Sequence, residues 1–377
     1  MPELLDIIGQ DSALEQLQRA LAGERRPHAY IFAGAEGVGR RTTAVEFAKL
    51  LLCENPPARP NNGRFAAMDD EFLLRQACGQ CDSCRTVSAG TNPDFTPVYK
   101  ELARYHDEQQ VRDRVMQNLS IDVVRQFLID PAWRASVGGR GKVFVVRGAE
   151  TMSIPAQNAL LKTLEEPPKG VTIILICTSP AELLPTTRSR CQLVRFSPLP
   201  TDFVADALTA DGVAPEEANF WAAMTGGSIG LASRRAGEKL YEFKKSLVGQ
   251  LAGGDSPADL AEMLVKASEK LARKFRARDK DLAASLSNRQ AGQVLLGLIA
   301  GVYHDALVSA TGSSRPLVHA DQTGAVERIA GRFEPTKLAD ILSQLARCEQ
   351  LLWRNVNAKL LWDNVAVTCT SAAALEV

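Results

Sequence analysis

Three short, nearly continuous apolar runs stand out in the first half of the chain: Ala29-Tyr30-Ile31-Phe32-Ala33, Val143-Phe144-Val145-Val146 and Thr172-Ile173-Ile174-Leu175-Ile176-Cys177. Runs of this length without polar alternation are the pattern of strands buried on both faces of a parallel sheet. Stretches of helical period follow the first run at residues 43–50 and separate the other two at residues 155–166, where Pro167-Pro168 stops the helix. Strand and helix in alternation predict a parallel α/β sheet. After Pro198-Leu199-Pro200 the strand pattern ends. Residues 201–240 predict a small helical unit closed by Thr225-Gly226-Gly227-Ser228, and Gly253-Gly254-Asp255-Ser256 opens a third, all-helical region. There Leu260, Met263, Leu264, Ala267, Leu271 and Phe275 share one helical face. A last helix pair carries Leu338, Ile341, Leu342 and Leu345, then Leu351, Leu352, Val356, Leu360 and Leu361. Each stripe taken alone reads as ordinary core.

At 377 residues the chain is long enough for two or three domains. Lys plus Arg and Asp plus Glu number 44 each, so no global field draws it to nucleic acid or membrane. The longest apolar stretch, around Val294 to Val308, is interrupted by Gly297, Gly301, His304 and Asp305 and reads as too short and too broken to span a bilayer. Met1-Pro2-Glu3-Leu4-Leu5-Asp6 lacks the basic-then-apolar pattern of a secretory signal. The expected location is cytoplasmic, where thiols stay reduced and clustered cysteines point to metal before disulfide.

Residues 34 to 42 read Gly-Ala-Glu-Gly-Val-Gly-Arg-Arg-Thr. A working phosphate loop follows G-x-x-x-x-G-K-[ST]: backbone N–H groups wrap the phosphates, the Lys reaches the outer ones and the hydroxyl holds Mg²⁺. Here Gly34, Gly37 and Gly39 are kept while Arg40 stands for the Lys and Arg41 for the hydroxyl. An Arg keeps the charge, but its planar fork is bulkier and aimed differently. Thr42 lies one position further along the following helix, rotated by about 100° from the place of the metal. At the end of the second apolar run, where a working site has an Asp for Mg²⁺ and an acidic neighbour for water, the chain has Arg147 and Gly148. The nearest carboxylate, Glu150, is expected past the strand end and aimed elsewhere. Any nucleotide is expected to bind weakly or not at all.

Of the eight cysteines, Cys78, Cys81 and Cys84 form C-x-x-C-x-x-C and Cys53 lies upstream, across a turn-rich loop at residues 55–63 that can fold it back. Four thiolates complete a tetrahedral Zn²⁺ shell, and a closed shell leaves no position for catalysis. The alternative is a set of reduced thiols, to which Cys53, after Leu50-Leu51-Leu52, is the most open. Among the four histidines, His28 is expected to pack or hydrogen-bond beside its strand, and the other three to stand without a ligand partner.

Ile7-Ile8-Gly9-Gln10-Asp11, Pro27-His28-Ala29-Tyr30, the glycine loop, the Cys cluster, Asn158-Ala159-Leu160-Leu161-Lys162-Thr163-Leu164-Glu165-Glu166-Pro167-Pro168 and Ser189-Arg190-Cys191 occur in this order. Together they resemble the clamp-loader ATPases of the AAA+ class, and within it the delta-prime subunits of bacterial DNA polymerase III. The resemblance covers residues 5 to 235 and the C-terminal helices in outline. It implies an α/β domain of nucleotide-binding type over residues 1–200 with a zinc module near 53–84, a helical lid over 201–245, and a helical collar over 246–377. It implies as partners gamma/tau motor subunits and a delta subunit in a hetero-pentamer, which uses ATP to open a sliding clamp and load it on primed DNA, with no membrane involved.

Departures from the motor subunits of that class are Arg40, Arg41, Arg147 and Gly148, together with Gly230 where a motor lid carries an Arg. Ser189-Arg190-Cys191 is intact, and in the class its Arg reaches the nucleotide of the next subunit. Such a finger is worth about 10³–10⁵ in rate in GTPases. The expected function is therefore a non-hydrolysing fixed end of the ring, with Arg190 acting in trans. An active motor is the alternative. A zinc-type nucleic-acid reader is disfavoured by Asp69, Asp70, Glu71 and Asp82 around the cysteines, offset only by Arg75 and Arg85.

Overall fold

The computed structural model describes residues 3–23, 26–112, 118–254, 256–279, 282–354 and 356–370. Met1, Pro2 and Asp255, used in the sequence reading, lie outside these. The chain forms two compact units, Met1–Pro200 and Thr201–Val377.

The first unit is built on β1 (Ala29–Ala33), a short antiparallel hairpin of β2 (Ala58–Pro60) and β3 (Leu73–Arg75), then β4 (Phe95–Val98), β5 (Lys142–Arg147), β6 (Val171–Cys177) and β7 (Gln192–Arg195). Five of these form one sheet in the order β4-β5-β6-β1-β7, every pair parallel. Successive residues of β1 feed opposite cores. Tyr30 and Phe32 join Phe47, Val145, Ile174 and Ile176 on one face, while Ala29, Ile31 and Ala33 join Phe144, Val146, Ile173 and Leu175 on the other. With both faces covered, the strands need apolar side chains at every position, which is why their sequences do not alternate. Register sets Ala33 beside Cys177 and Arg147 beside Ile176, so the C-terminal ends of β1, β5 and β6 form one rim.

The helices used below are α1 (Asp11–Ala22), α2 (Arg40–Leu52), α3 (Asp82–Ala89), α4 (Ile154–Glu165) and α5 (Pro185–Arg188). Ser153 caps α4 by accepting from the Ala156 amide, and Pro at its first turn costs no hydrogen bond. His28 Nε2 lies 2.7 Å from the Leu164 carbonyl at the other end of that helix. Two sheet strands have no apolar run to announce them: β4 carries Pro97 on an edge, and β7 has only Leu193 and Val194 between polar residues.

Among its described residues the second unit has helices and connecting loops but no strand: α6 (Thr201–Ala210), α7 (Pro215–Met224), α8 (Ile229–Gly237), α9 (Tyr241–Gly253), α10 (Pro257–Arg278), α11 (Ala284–Ala310), α12 (Thr323–Arg332), α13 (Pro335–Leu352) and α14 (Ala358–Thr370). The sequence reading of its apolar stretch needs correction. The glycines do not interrupt α11, which runs for 27 residues with a mean hydropathy of 1.4 in its most apolar window, long and apolar enough to cross a membrane by those measures alone. Its apolar composition has another physical account, since 67% of that window is buried inside the protein. Contrary to the expectation for the histidines, one of them has a buried carboxylate partner. His319 and Asp305 are both buried, 14 residues apart in sequence, with Nδ1 2.8 Å from Oδ2. Asp305 also accepts the amides of Val318 and His319 at 3.2 and 2.7 Å, and these bonds hold its carboxyl below the usual range against the opposing effect of burial.

Candidate functional site

The loop after β1 keeps its glycines for reasons internal to the fold. A Cβ on Gly34 would lie 2.5 Å from the backbone oxygen of Phe196, so the chain passes too close to the exit of β7 for any side chain. Gly37 and Gly39 have φ of 79° and 103°, the left-handed region where a Cβ is strained. Buried Gln10 fastens the loop: its Nε2 donates to the Val38 and Ser197 carbonyls at 3.0 and 2.8 Å, and its Oε1 accepts the Ser197 amide at 3.0 Å. Nothing local in the sequence marks Gln10 for this role, since its partner Ser197 lies 187 residues away.

Arg40 opens α2 and is only 8% exposed. Its Nη1 donates to the carbonyl of Cys177 at the end of β6. Burial lowers its pKa from the ordinary guanidinium value, opposed by the negative charge of Glu150 and Glu36. Thr42 is half-buried in the first turn of α2, and the adjacent Thr43 hydroxyl donates to the Gly39 carbonyl at 3.0 Å. Arg147 ends β5 with its guanidinium 4.9 Å from the centre of the Tyr99 ring. Burial first, and the nearby positive charge of Arg41 second, lower its pKa. Gly148 follows at φ 63°. Arg147 thus stands on the rim at the C-terminal end of β5 with the positive charge of Arg41 near it.

Glu150 corrects the sequence reading. It is turned back to the rim, where Oε1 accepts from the amide and hydroxyl of Thr178 at 3.1 and 2.9 Å, just beyond β6. Its charge is felt by both Arg40 and the buried Cys177 thiol, which burial pushes up to about 12.

Cys53 directly follows α2, Cys78 and Cys81 lie in the turn before α3, and Cys84 is within α3. Their Sγ atoms all lie within 4.8 Å of one another, with 3.9 Å between Cys78 and Cys84. A tetrahedron with metal–sulfur bonds of about 2.3 Å has edges of about 3.8 Å, so the four thiols fit a metal ion. Amides turn inward to the sulfurs: Cys78 to Cys53 at 3.3 Å, Cys81 to Cys78 and Cys84 to Cys81 at 3.4 Å each. The amides of Gln80 and Cys81 draw the Cys78 thiol down to about 6, whereas burial pushes Cys53 and Cys84 up. The segment is no separate appendage. Phe65, Met68, Leu74, Ala77, Cys84 and Val87 belong to the same core as Leu4, Leu14 and Phe47. Asn61 braces the loop through the carbonyls of Phe65 and Met68, and Arg64 binds Asp11 and the Leu5 carbonyl.

Arg190 sits in the turn after α5, and its side chain is 31% exposed. Sequence reasoning treats it as an open finger; the structure gives it partners. Nε donates to Glu165 Oε1 at 2.8 Å, Nη2 reaches the same oxygen, and Nη1 donates to the Thr186 carbonyl at 2.8 Å. Arg188, two residues earlier, is exposed.

Residues 9–200 match the family model described as DNA polymerase III, delta subunit, and residues 268–368 match that described as DNA polymerase III, delta subunit, C terminal. The DNA polymerase III subunit delta' of Pseudomonas aeruginosa is 34% identical over 227 residues, 59% of each chain. The match thus spans about three fifths of that relative's length. The subunit delta' of Escherichia coli is 26% identical over 92% of this chain and 90% of its own, and subunit tau of Escherichia coli is 32% identical over 49% of this chain and 24% of its own. The chain belongs to the DNA polymerase III delta-subunit family, the clamp-loader family that includes the delta-prime subunits.

Proposed function

We propose that this chain is a non-hydrolysing clamp-loader subunit that forms a fixed end of the ring and donates Arg190 to the ATP site of a neighbouring motor subunit. The observation that carries the reading is the difference in exposure of two arginines, Arg40 at 8% and the Arg190 side chain at 31%. At its own loop, Arg40 is held by the Cys177 carbonyl, and the end of β5 carries Arg147, near the charge of Arg41, where a working site has a carboxylate. At the Ser189-Arg190-Cys191 turn, the guanidinium is at the surface on a short segment that α4 holds in place.

In this reading residues 1–200 are the nucleotide-binding-type domain, 201–245 the lid and 246–377 the collar, working in the cytoplasm. The partners are gamma/tau motors and a delta subunit in a hetero-pentamer, which acts on the sliding clamp and primed DNA. Gly34, Gly37, Gly39, Arg40 and Thr42 are the remnant of the nucleotide loop and bind nucleotide weakly or not at all. Cys53, Cys78, Cys81 and Cys84 hold a structural Zn²⁺, which cross-links the end of α2 to α3 and takes no part in chemistry. Phosphate charge developing in the neighbour's site is what Arg190 stabilises, by a two-pronged guanidinium contact.

One observation favours the second reading, an active motor: Glu150 faces the rim near Arg40 instead of pointing away. Mixing the chain with tau-type and delta-type subunits separates the two. A stoichiometric complex that loads clamps, with turnover lost when the partners' loop lysines are replaced, supports the fixed end; Mg²⁺-dependent turnover that survives those replacements supports the motor.

A further inference from the structure

Glu165 is the last residue of α4, and its carboxylate reaches across to the turn that follows α5. Arg190 gives it two N–H groups, one from Nε and one from Nη2. On the other side of the guanidinium, Nη1 donates to the Thr186 carbonyl at 2.8 Å and to the Ser189 hydroxyl at 3.3 Å. An arginine has five N–H donors, so these four contacts leave one, whereas a parallel two-pronged grip on a phosphate uses two. In this arrangement the guanidinium cannot grip a phosphate outside its own chain without giving up a partner.

The contacts divide into a fixed part and a releasable part. Gln157, buried in α4, accepts the Leu184 amide at 2.9 Å and lies 3.4 Å from the Thr187 hydroxyl, which fixes α5 and with it the backbone of the turn. The Glu165–Arg190 pair is by contrast at the surface, the two side chains 47% and 31% exposed. Ion pairs this exposed are weak and screened by salt, and hold a side chain by no more than about fivefold in population.

We infer that Glu165 is a latch for Arg190, a positioning residue that holds the guanidinium against its own chain and competes for it with the phosphate of a nucleoside triphosphate bound to a neighbouring subunit. The inference rests on the reading of Arg190 as a donor in trans. Release exchanges one anionic partner for another on a turn whose backbone stays in place.

The test uses the full chain assembled with its motor and delta-type partners, with one active motor site beside this subunit, and compares wild type, Glu165→Gln, Arg190→Ala and the double variant. Glu165→Gln is expected to raise kcat about twofold to fivefold, and this advantage is expected to shrink at high salt, which loosens the wild-type latch as well. The double variant should match Arg190→Ala, and Glu166→Gln, which removes the same charge one residue away, should match wild type. An unchanged or lower kcat in Glu165→Gln, with Arg190→Ala still slow, overturns the latch and leaves the donor reading standing. A wild-type rate in Arg190→Ala overturns the donor reading and the latch with it. The isolated chain gives a check that needs no assembly: phenylglyoxal should label Arg190 faster in Glu165→Gln than in wild type or Glu166→Gln, and equal labelling overturns the latch.

Discussion

Arg40 and Cys177 are joined across the rim of the sheet, the guanidinium at the start of α2 donating to the carbonyl at the end of β6. The register that sets Cys177 beside Ala33 brings the end of β6 next to the strand from which the loop departs. A side chain at the place of a catalytic lysine is thereby part of the structure of the unit.

It follows that Arg40→Ala acts on stability. Losing a buried charge-assisted bond and leaving its acceptor without that donor should cost about 1–3 kcal/mol. Thermal unfolding should show a lower midpoint, and ATP turnover by the purified chain should be absent before and after the change. Steady Mg²⁺-dependent turnover in wild type that vanishes in Arg40→Ala would contradict the silent loop.

The metal prediction is wider than a loosened loop. Because Phe65, Leu74 and Cys84 share a core with Leu14 and Phe47, removing the ion should destabilise the first unit as a whole. Elemental analysis should find one zinc per chain, and Cys53→Ser should lower both zinc content and the unfolding midpoint. Full zinc retention in Cys53→Ser would reassign the fourth ligand.

In the second unit, Asp305→Ala should be strongly destabilising. It removes the acceptor of two amides and the partner of a buried ring nitrogen. Each buried donor left unpaired costs about 1–3 kcal/mol, so denaturant unfolding should show a loss of about 3 kcal/mol or more. A loss below 1 kcal/mol would mean that water replaces the carboxylate.

What could be read from the sequence was what repeats locally. β1, β5 and β6 are legible because a strand buried on both faces needs an unbroken apolar run. β4 and β7 are not, being short edge strands in which a proline or flanking polar residues leave no apolar run. C-x-x-C-x-x-C is readable because its short gaps put three ligands in one turn and the start of the helix after it, and Cys53 less so, because it is brought in by the end of α2. Partners distant in sequence stayed invisible: Glu165 for Arg190, Asp305 for His319, Thr178 for Glu150. In each, two polar residues of ordinary type meet only because helices or strands pack, and neither carries a mark of the other.

The central claim is that Arg190 acts on a phosphate outside its own chain, and the most direct measurement is ATP hydrolysis by an assembled complex with one active motor site beside this subunit. Arg190→Ala should leave folding and assembly intact, because a surface ion pair contributes about 0–1 kcal/mol, and should slow hydrolysis at that site by about 10³-fold or more. Arg188→Ala, close in sequence and exposed, should hydrolyse at the wild-type rate. Equal rates for wild type and Arg190→Ala would contradict the account and leave this subunit a scaffold.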